Sequence, residues 1–161
     1  MGFLEAGEPI PWKESLDLIA YVREHGVTQF LNVYNKVKAV TNEDLLWGDE
    51  LEYGVLCLDS NAGTVKISLR GAEILQDLIS KETKLSHPDA RYERCHWVPE
   101  YGSWMVEGTP EVPYAGFAAD LLRVEQNMKV RRARLLNALK PNEICPTVPC
   151  FPLLGVGTFT E

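Results

Sequence analysis

The 161-residue sequence has no long apolar run, no excess of basic residues and few cysteines. No apolar run reaches the ~18 residues that a membrane-spanning helix needs, so we expect no membrane partner. Sixteen Lys and Arg against 23 Asp and Glu give a formal net charge of −7. This balance argues against nucleic acid as a partner, because phosphate binding relies on clustered basic residues. Four cysteines without a CxxC pair do not make a disulfide framework. The N-terminal segment lacks the basic residues with which a secretory signal begins. These features predict a soluble, cytoplasmic protein.

Familiar phosphate-binding motifs are also missing from the sequence. There is no P-loop and no GxGxxG, and the lone Gly155-Val156-Gly157 is followed by no helical pattern, which is typical of a loop. What is present is a globular composition, with 45% hydrophobic and 24% charged residues. A chain of this length can build one hydrophobic core, so length alone favours one domain.

Hydrophobic periodicity predicts a mixture of helices and strands. Gly26 separates two helical patterns, either as a break or as a weak point in one kinked helix. An apolar stripe from Phe117 to Leu139 marks the buried side of the longest helix. The order of elements predicts the α+β class with a mainly antiparallel sheet. The predicted segments are helices over 12–25, 27–40, 72–81 and 117–140, a hairpin of strands over 45–58 and 64–70, a surface loop over 82–94, an extended segment over 96–114 and a strand over 145–159.

Two carboxylates stand out because they share one face of a predicted strand. Glu50 and Glu52 are two residues apart, so their side chains project from the same side, about 7 Å apart. Gly48 and Gly54 flank them on that side and leave room for a group to approach the backbone. A solvated acidic face is the alternative, since antiparallel sheets often expose one side to water.

A second pair of carboxylates lies in the aromatic-rich extended segment. Glu100 and Glu107 are seven residues apart, which places them on opposite sides of an uninterrupted strand. If both reach one site, a bulge or bend must intervene, and Gly102 is the natural position for it.

Both pairs point to a divalent cation. Neither segment contains a basic residue, and burying an uncompensated carboxylate carries a desolvation penalty of several kcal/mol. Oxygen-only ligands suit Mg²⁺ or Mn²⁺ rather than zinc. Because Mg²⁺ usually keeps positions for water and substrate phosphate, the pattern indicates nucleotide chemistry.

Five stretches of the sequence resemble the catalytic subunit of the eukaryotic glutamate–cysteine ligases. The most specific are a Trp-Gly-Asp-Glu-x-Glu-Tyr strand and a Pro-Glu-Tyr-Gly-x-aromatic-Met-x-Glu-x-Thr-Pro strand, which follow each other in the family's order. Together the stretches extend over nearly the whole chain. They are MGFLEAGEPIPW (1–12), LLWGDELEYGV (45–55), VPEYGSWMVEGTPEVPY (98–114), VEQNMKVRR (124–132) and CFPLLGVGTF (150–159).

The resemblance implies ATP-dependent ligation of L-cysteine to the γ-carboxylate of L-glutamate through a γ-glutamyl phosphate, in the first step of glutathione biosynthesis. It implies part of a glutamine synthetase-like carboxylate–amine ligase fold, with residues 1–161 as the N-terminal portion of a larger catalytic domain. It also implies ATP as co-substrate and a regulatory modifier subunit as a partner. By position, the family's metal-binding glutamates, which hold Mg²⁺ or Mn²⁺, match Glu50, Glu52, Glu100 and Glu107; no further catalytic residue is assigned.

The chain departs from the family's pattern in two ways. Leu153 stands where the family has an arginine, and the family's catalytic chains run to several hundred residues, so we expect the isolated chain to form little or no product. Arg131 and Arg132 match family positions, and their role, either on a solvated helix face or in contact with substrate or further segments, stays open.

The alternative function is a truncated, non-catalytic product that binds only divalent metal or a partner subunit. A third is a relative that uses a different amine or acid.

Overall fold

The fold combines three helices with two small antiparallel sheets in the part of the chain that the structure describes. The structure is a computed structural model and describes residues 8, 10–85, 93–148 and 150–161. The predicted α+β class is confirmed, whereas residues 86–92 of the predicted loop lie outside the described residues. The elements are α1 (Trp12–Val37), β1 (Leu51–Gly54), β2 (Leu56–Asp59), β3 (Thr64–Ile67), α2 (Gly71–Glu82), β4 (Cys95–Pro99), β5 (Met105–Pro110), α3 (Ala118–Leu136) and β6 (Glu143–Ile144).

Helix α1 is one continuous helix of 26 residues, so of the two possibilities that the sequence left open at Gly26 the break is wrong and a single helix is observed. A glycine weakens a helix by about 1 kcal/mol but does not interrupt its hydrogen bonds, so strong helical patterns on both sides continue through it. The segment Ala6–Asp44 forms a compact unit of its own, and none of the 26 described residues of α1 is buried. Neither α1 nor any other described helix is long and apolar enough to cross a membrane.

The other compact unit contains Leu45–Glu161 and includes a sheet with the strand order β1-β5-β4. β4 and β5 form an antiparallel hairpin, so the prediction of one extended segment over 96–114 is wrong. The chain reverses over residues 100–104, where the carbonyl of Gly102 accepts a hydrogen bond from the backbone N–H of Met105 at 2.8 Å. The bend expected at Gly102 is therefore part of a turn.

The predicted strand over 45–58 is divided at Val55 into two strands that belong to different sheets. The N–H of Val55 donates to the carbonyl of Trp104, and its own carbonyl accepts from the N–H of Ser68. Val55 thus hydrogen-bonds outside both strand ladders, at the crossing from the first sheet to the second. Sequence alternation runs on through this point, which is why the pattern alone did not predict the division.

The second sheet has the order β3-β2-β6. The predicted hairpin is confirmed as β2 and β3, joined by the four residues 60–63. The predicted strand over 145–159 is wrong, because β6 is only Glu143–Ile144 and turns and bends follow from 152 to 158. Three prolines in that stretch lack the N–H that a strand donates to its neighbour. Near the end of the chain, Thr160 forms a single bridge with Ile67.

Helices α2 and α3 contribute to the hydrophobic core on one face of the first sheet. The helix predicted over 72–81 is confirmed as α2, although Ile79 of its expected apolar face is 45% exposed. The buried residues of this core are Tyr53, Val55, Ile74, Leu75, Leu78, Cys95, Trp97, Val106, Leu135 and Cys145.

Helix α3 buries the predicted apolar stripe only in part. Leu135 of the stripe is fully buried. Phe117 and Leu121 of the predicted stripe are 74% and 63% exposed. Polar groups can be buried where they find hydrogen-bond partners, and those partners lie in distant segments that the local pattern does not reveal. The residues that α3 buries are Asp120, Asn127, Arg131 and Leu135.

Candidate metal centre

Strands β1 and β5 place two of the predicted glutamates directly opposite each other. Glu52 and Glu107 are partners in the antiparallel register. Directly opposed residues of an antiparallel pair share a face, with Cβ atoms about 5 Å apart. We call the face that carries Glu52 and Glu107 the acid face; the opposite face carries the core residues described above.

The β4–β5 hairpin resolves the odd spacing between Glu100 and Glu107. In its register Val98 lies opposite Glu107. Glu100 follows Val98 by two residues, so it continues on the acid face. A turn reverses the chain and thereby brings residues of odd separation to one face, which a single straight strand cannot do.

Glu50 lies just before the first residue of β1 and two residues before Glu52, so the same alternation directs it to the acid face. It is exposed, Glu52 and Glu100 are half-buried, and Glu107 is only 3% exposed. All four predicted glutamates are therefore on one side of the sheet.

The acid face is buried at β4 and β5, whereas at Glu50 it is solvated, as in the alternative that the sequence left open. Besides Glu107, it carries Val98 and Met105, which are 8% and 6% exposed. A carboxylate placed among buried side chains loses its hydration, and this loss is unfavourable unless another group compensates it.

The space expected beside Gly54 is occupied by the protein itself. A Cβ at Gly54 would overlap the ring of Trp104 and lie 3.1 Å from the carbonyl oxygen of Val148. A Cβ at Gly48 would make an ordinary 3.7 Å contact with Pro110. Gly54 thus permits the close approach of Trp104, and the expectation of an open approach to the backbone at this glycine is wrong.

Burial and neighbouring acids raise the pKa of the Glu107 carboxyl above its ordinary value. Burial is the largest cause, the negative charge of Glu50 raises the pKa further, and Glu100 adds a hydrogen bond and its own charge. One oxygen of Glu107, Oε1, is buried without a hydrogen-bond partner in the described part of the chain. A buried carboxylate oxygen without a donor is costly, and a cation ligand is one group that can satisfy it.

The donor set fits a hard divalent cation. Four carboxylates offer only oxygen, the ligand type that Mg²⁺ and Mn²⁺ prefer. No three of these glutamates are among the described groups whose ligand atoms all lie within 4.8 Å of one another. The structure therefore brings the four residues to one face without gathering their oxygens to coordination distance.

A different trio in the described residues does meet that distance, namely Cys57, Glu143 and Glu161. The carboxylate of Glu143 already accepts hydrogen bonds from Ser68 and Arg70. Burial raises the pKa of the Cys57 thiol to about 11, and the thiol donates a hydrogen bond to Glu161. Because metal binding needs a thiolate and free carboxylate oxygens, this trio is a structural cluster.

Sequence reasoning missed a carboxylate on the opposite side of the same strand. Asp49 alternates with Glu50, so it faces α3, where its carboxylate pairs with Arg131. Arg131 is fully buried and also donates to the carbonyls of Gly108 and Asp49. Asp49 has the same two-residue spacing as Leu51 and Tyr53, so the sequence places it on the apolar face of the strand. A buried acid needs a compensating cation, and this was the available signal.

Arg132, the other arginine with an open role, points to a different part of the molecule. It donates to the carbonyl of Cys145 and lies 5.8 Å from the centre of the Tyr53 ring. It also lines an open groove of about 610 Å³ beside α3. Leu51 and Tyr53 line the same groove, so it lies on the face of β1 opposite the glutamates.

The chain matches the family model of the glutamate-cysteine ligases over residues 2–161. It is 40% identical to the glutamate–cysteine ligase of Dictyostelium discoideum over 161 residues, which are 100% of this chain and 24% of that protein. It is 39% identical to the glutamate–cysteine ligase catalytic subunit of Homo sapiens over 162 residues, with 99% of this chain and 24% of the human protein covered. The Candida albicans glutamate–cysteine ligase is 35% identical and is covered over 23% of its length.

The chain therefore belongs to the glutamate–cysteine ligase family. It spans about a quarter of the length of the curated relatives it matches. The family resemblance inferred from the strand motifs is confirmed.

Proposed function

We propose that this chain is part of an ATP-dependent ligase that joins L-cysteine to the γ-carboxylate of L-glutamate, in the first step of glutathione biosynthesis. Residues 1–161 form the N-terminal portion of a larger catalytic domain with a glutamine synthetase-like carboxylate–amine ligase fold. The observation that carries the proposal is the acid face, where Glu107 is buried among three other glutamates and one of its oxygens accepts no hydrogen bond from the described residues. The names of the relatives support the reaction.

The acid face suits a reaction in which two anions must meet. The γ-carboxylate of glutamate attacks the γ-phosphorus of ATP, which releases ADP and forms an acyl phosphate. The amine of cysteine, once deprotonated, then attacks the acyl carbon and releases inorganic phosphate. A bound Mg²⁺ or Mn²⁺ would supply positive charge against the phosphate oxygens. Glu107 offers the most deeply buried ligand oxygen, and Glu52 offers one directly across the strand pair. Glu50 and Glu100 flank this pair.

The sheet keeps these ligands in place. Three of the four glutamates are anchored by β1, β5 and the turn that follows β4, and Glu50 is joined directly to β1. Sites on strands hold ligand geometry more closely than sites on loops. A modifier subunit as partner and a cytoplasmic location stay predictions.

Manganese binding by the full chain tests the metal site. Mn²⁺ is titrated into the protein and the free ion is followed by electron paramagnetic resonance. We expect binding by the unaltered chain, and about tenfold weaker binding or worse, equivalent to about 1.4 kcal/mol, for Glu107→Gln. Glu125→Gln is the matched control, because Glu125 is an exposed residue of α3 paired with Lys129. Equal binding by the Glu107 and Glu125 variants would contradict the assignment.

A chimera tests the activity. Residues 1–161 replace the matching quarter of the Dictyostelium relative, and γ-glutamylcysteine is measured with ATP, Mg²⁺, glutamate and cysteine. We expect product from the chimera, none above background from its Glu107→Gln form, and little or none from the isolated chain. An inactive but folded chimera would count against the proposed function.

A further inference from the structure

Arg131 connects the two strands that carry the candidate metal ligands. Its guanidinium donates to the carbonyl of Gly108 at 2.5 Å and, over a longer 3.4 Å, to the carbonyl of Asp49. It also pairs with the Asp49 carboxylate. Asp49 immediately precedes Glu50, and Gly108 immediately follows Glu107. One buried side chain therefore binds the backbone next to a glutamate of each strand.

These bonds lie where the strand ladder ends. The β1–β5 register begins with Leu51 opposite Gly108, so Glu50 is outside the ladder. Asp49 also lies outside the ladder, and Arg131 binds both its carbonyl and its carboxylate. Glu50 consequently lies between one residue fixed by Arg131 and another fixed by β5.

Arg131 lies close to the backbone of β5 at Gly108, where no side chain intervenes. A Cβ at Gly108 would lie 2.7 Å from the ring of Trp97 and 3.3 Å from Cδ of Arg131. The absence of a side chain at Gly108 thus lets both Trp97 and Arg131 lie close to the backbone. Arg131 itself is fully buried, so its hydrogen bonds are shielded from water. Hydrogen bonds to a charged group are stronger in such an interior than in water.

We propose that Arg131 is a positioning residue for the metal centre, which sets the backbone at Glu50 relative to Glu107 without touching the metal or a substrate. This inference rests on the proposed function. It assigns to Arg131 a role on the core side of the sheet, away from solvent and away from substrate anions. Supporting groups behind metal ligands typically change metal affinity by about 10- to 100-fold when they are removed.

Mn²⁺ titration of the full chain, followed by electron paramagnetic resonance, tests the role. For Arg131→Met we expect the dissociation constant for Mn²⁺ to rise about tenfold. The matched control is Arg134→Met, which removes a partly buried arginine of α3 from its pair with Glu82 and should change the constant by less than about twofold. Arg131→Lys, which keeps the charge beside Asp49 but not the two-armed fork, should remain weakened.

A second variant separates positioning from loss of folding. Arg131→Met leaves the buried Asp49 carboxylate without its cation, so Arg131→Met combined with Asp49→Asn is prepared beside it, and circular dichroism checks that each is folded. We expect the folded double variant to bind Mn²⁺ about tenfold more weakly. Unchanged binding in the double variant, full affinity in Arg131→Lys, or an equal loss in Arg134→Met would overturn the positioning role. Absence of binding by the unaltered chain would contradict the metal site itself, and the inference with it.

Discussion

Asp49 and Glu50 are neighbours in the chain, and their carboxylates have opposite surroundings. Asp49 faces the helices and is compensated by the buried Arg131, 82 residues away in sequence. Glu50 faces the other glutamates, and its charge raises the pKa of Glu107. At this scale, two neighbouring acids differ in their surroundings, since one is paired with a buried arginine and the other lies beside further carboxylates.

Glu107→Gln should stabilise the chain in the presence of a chelator. Because the folded-state pKa of Glu107 is raised, its favourable contribution is complete below the unfolded-state value near 4.5 and is lost as the pH rises through the folded-state pKa. The variant should therefore have the higher free energy of unfolding at pH 7, and its advantage should shrink towards pH 4. Urea unfolding at both pH values measures this, and a less stable variant at pH 7 would contradict the account.

The four thiols should differ in reactivity. Burial raises the pKa of Cys95 to about 12 and that of Cys57 to about 11, and it also raises the pKa of Cys145, whereas Cys150 is exposed. Only the thiolate is nucleophilic. At pH 8 we expect iodoacetamide to modify Cys150 first and the other three only in denaturant, as read by peptide mass spectrometry. Cys150→Ser should abolish the rapid phase.

Among the secondary-structure elements, local patterns predicted those whose partners are close in sequence. The β2–β3 hairpin and α2 were predicted well, because turn chemistry and apolar spacing are both local signals. The buried side of α3 was predicted only in part. Leu135 belongs to the apolar stripe, whereas Arg131 is buried because it bonds to Asp49 and Gly108, which lie in distant segments. The glutamates were identified by type and alternation, but their arrangement needed the turn at Gly102. Tertiary partners of this kind are not encoded in a short window.

Two glycines of different elements should respond in opposite ways to alanine. Gly54→Ala places a Cβ against Trp104 and should lower the free energy of unfolding by about 1–3 kcal/mol. Gly26 lies inside α1, where a Cβ would meet nothing within 4 Å, so Gly26→Ala should stabilise that helix by up to about 1 kcal/mol. Urea unfolding tests the first change and helical circular dichroism the second. Two effects of the same sign would contradict the described environments.

Helices of both units expose large apolar side chains. Leu16, Val27 and Phe30 of α1 are 49%, 63% and 66% exposed, and Leu122 of α3 is 82% exposed. Apolar side chains exposed along one helix, as in α1, are typical of a contact with other protein. A chain that spans a quarter of its relatives accords with such contacts.

The chain alone should therefore self-associate. We expect sedimentation velocity to show oligomers that increase with concentration, and Val27→Glu combined with Phe30→Glu to reduce them. Arg23→Glu, a charge change at another exposed position of α1, is the control and should leave association unchanged. A monomer at every concentration would argue against the prediction that the exposed apolar residues of α1 contact other protein.

The most direct test of the metal centre is anomalous diffraction from crystals of the chain grown with Mn²⁺. We expect a manganese peak bonded to Glu107 and to at least one of Glu52, Glu50 and Glu100. A peak found only at Cys57, Glu143 and Glu161, or no peak on the acid face, would contradict it.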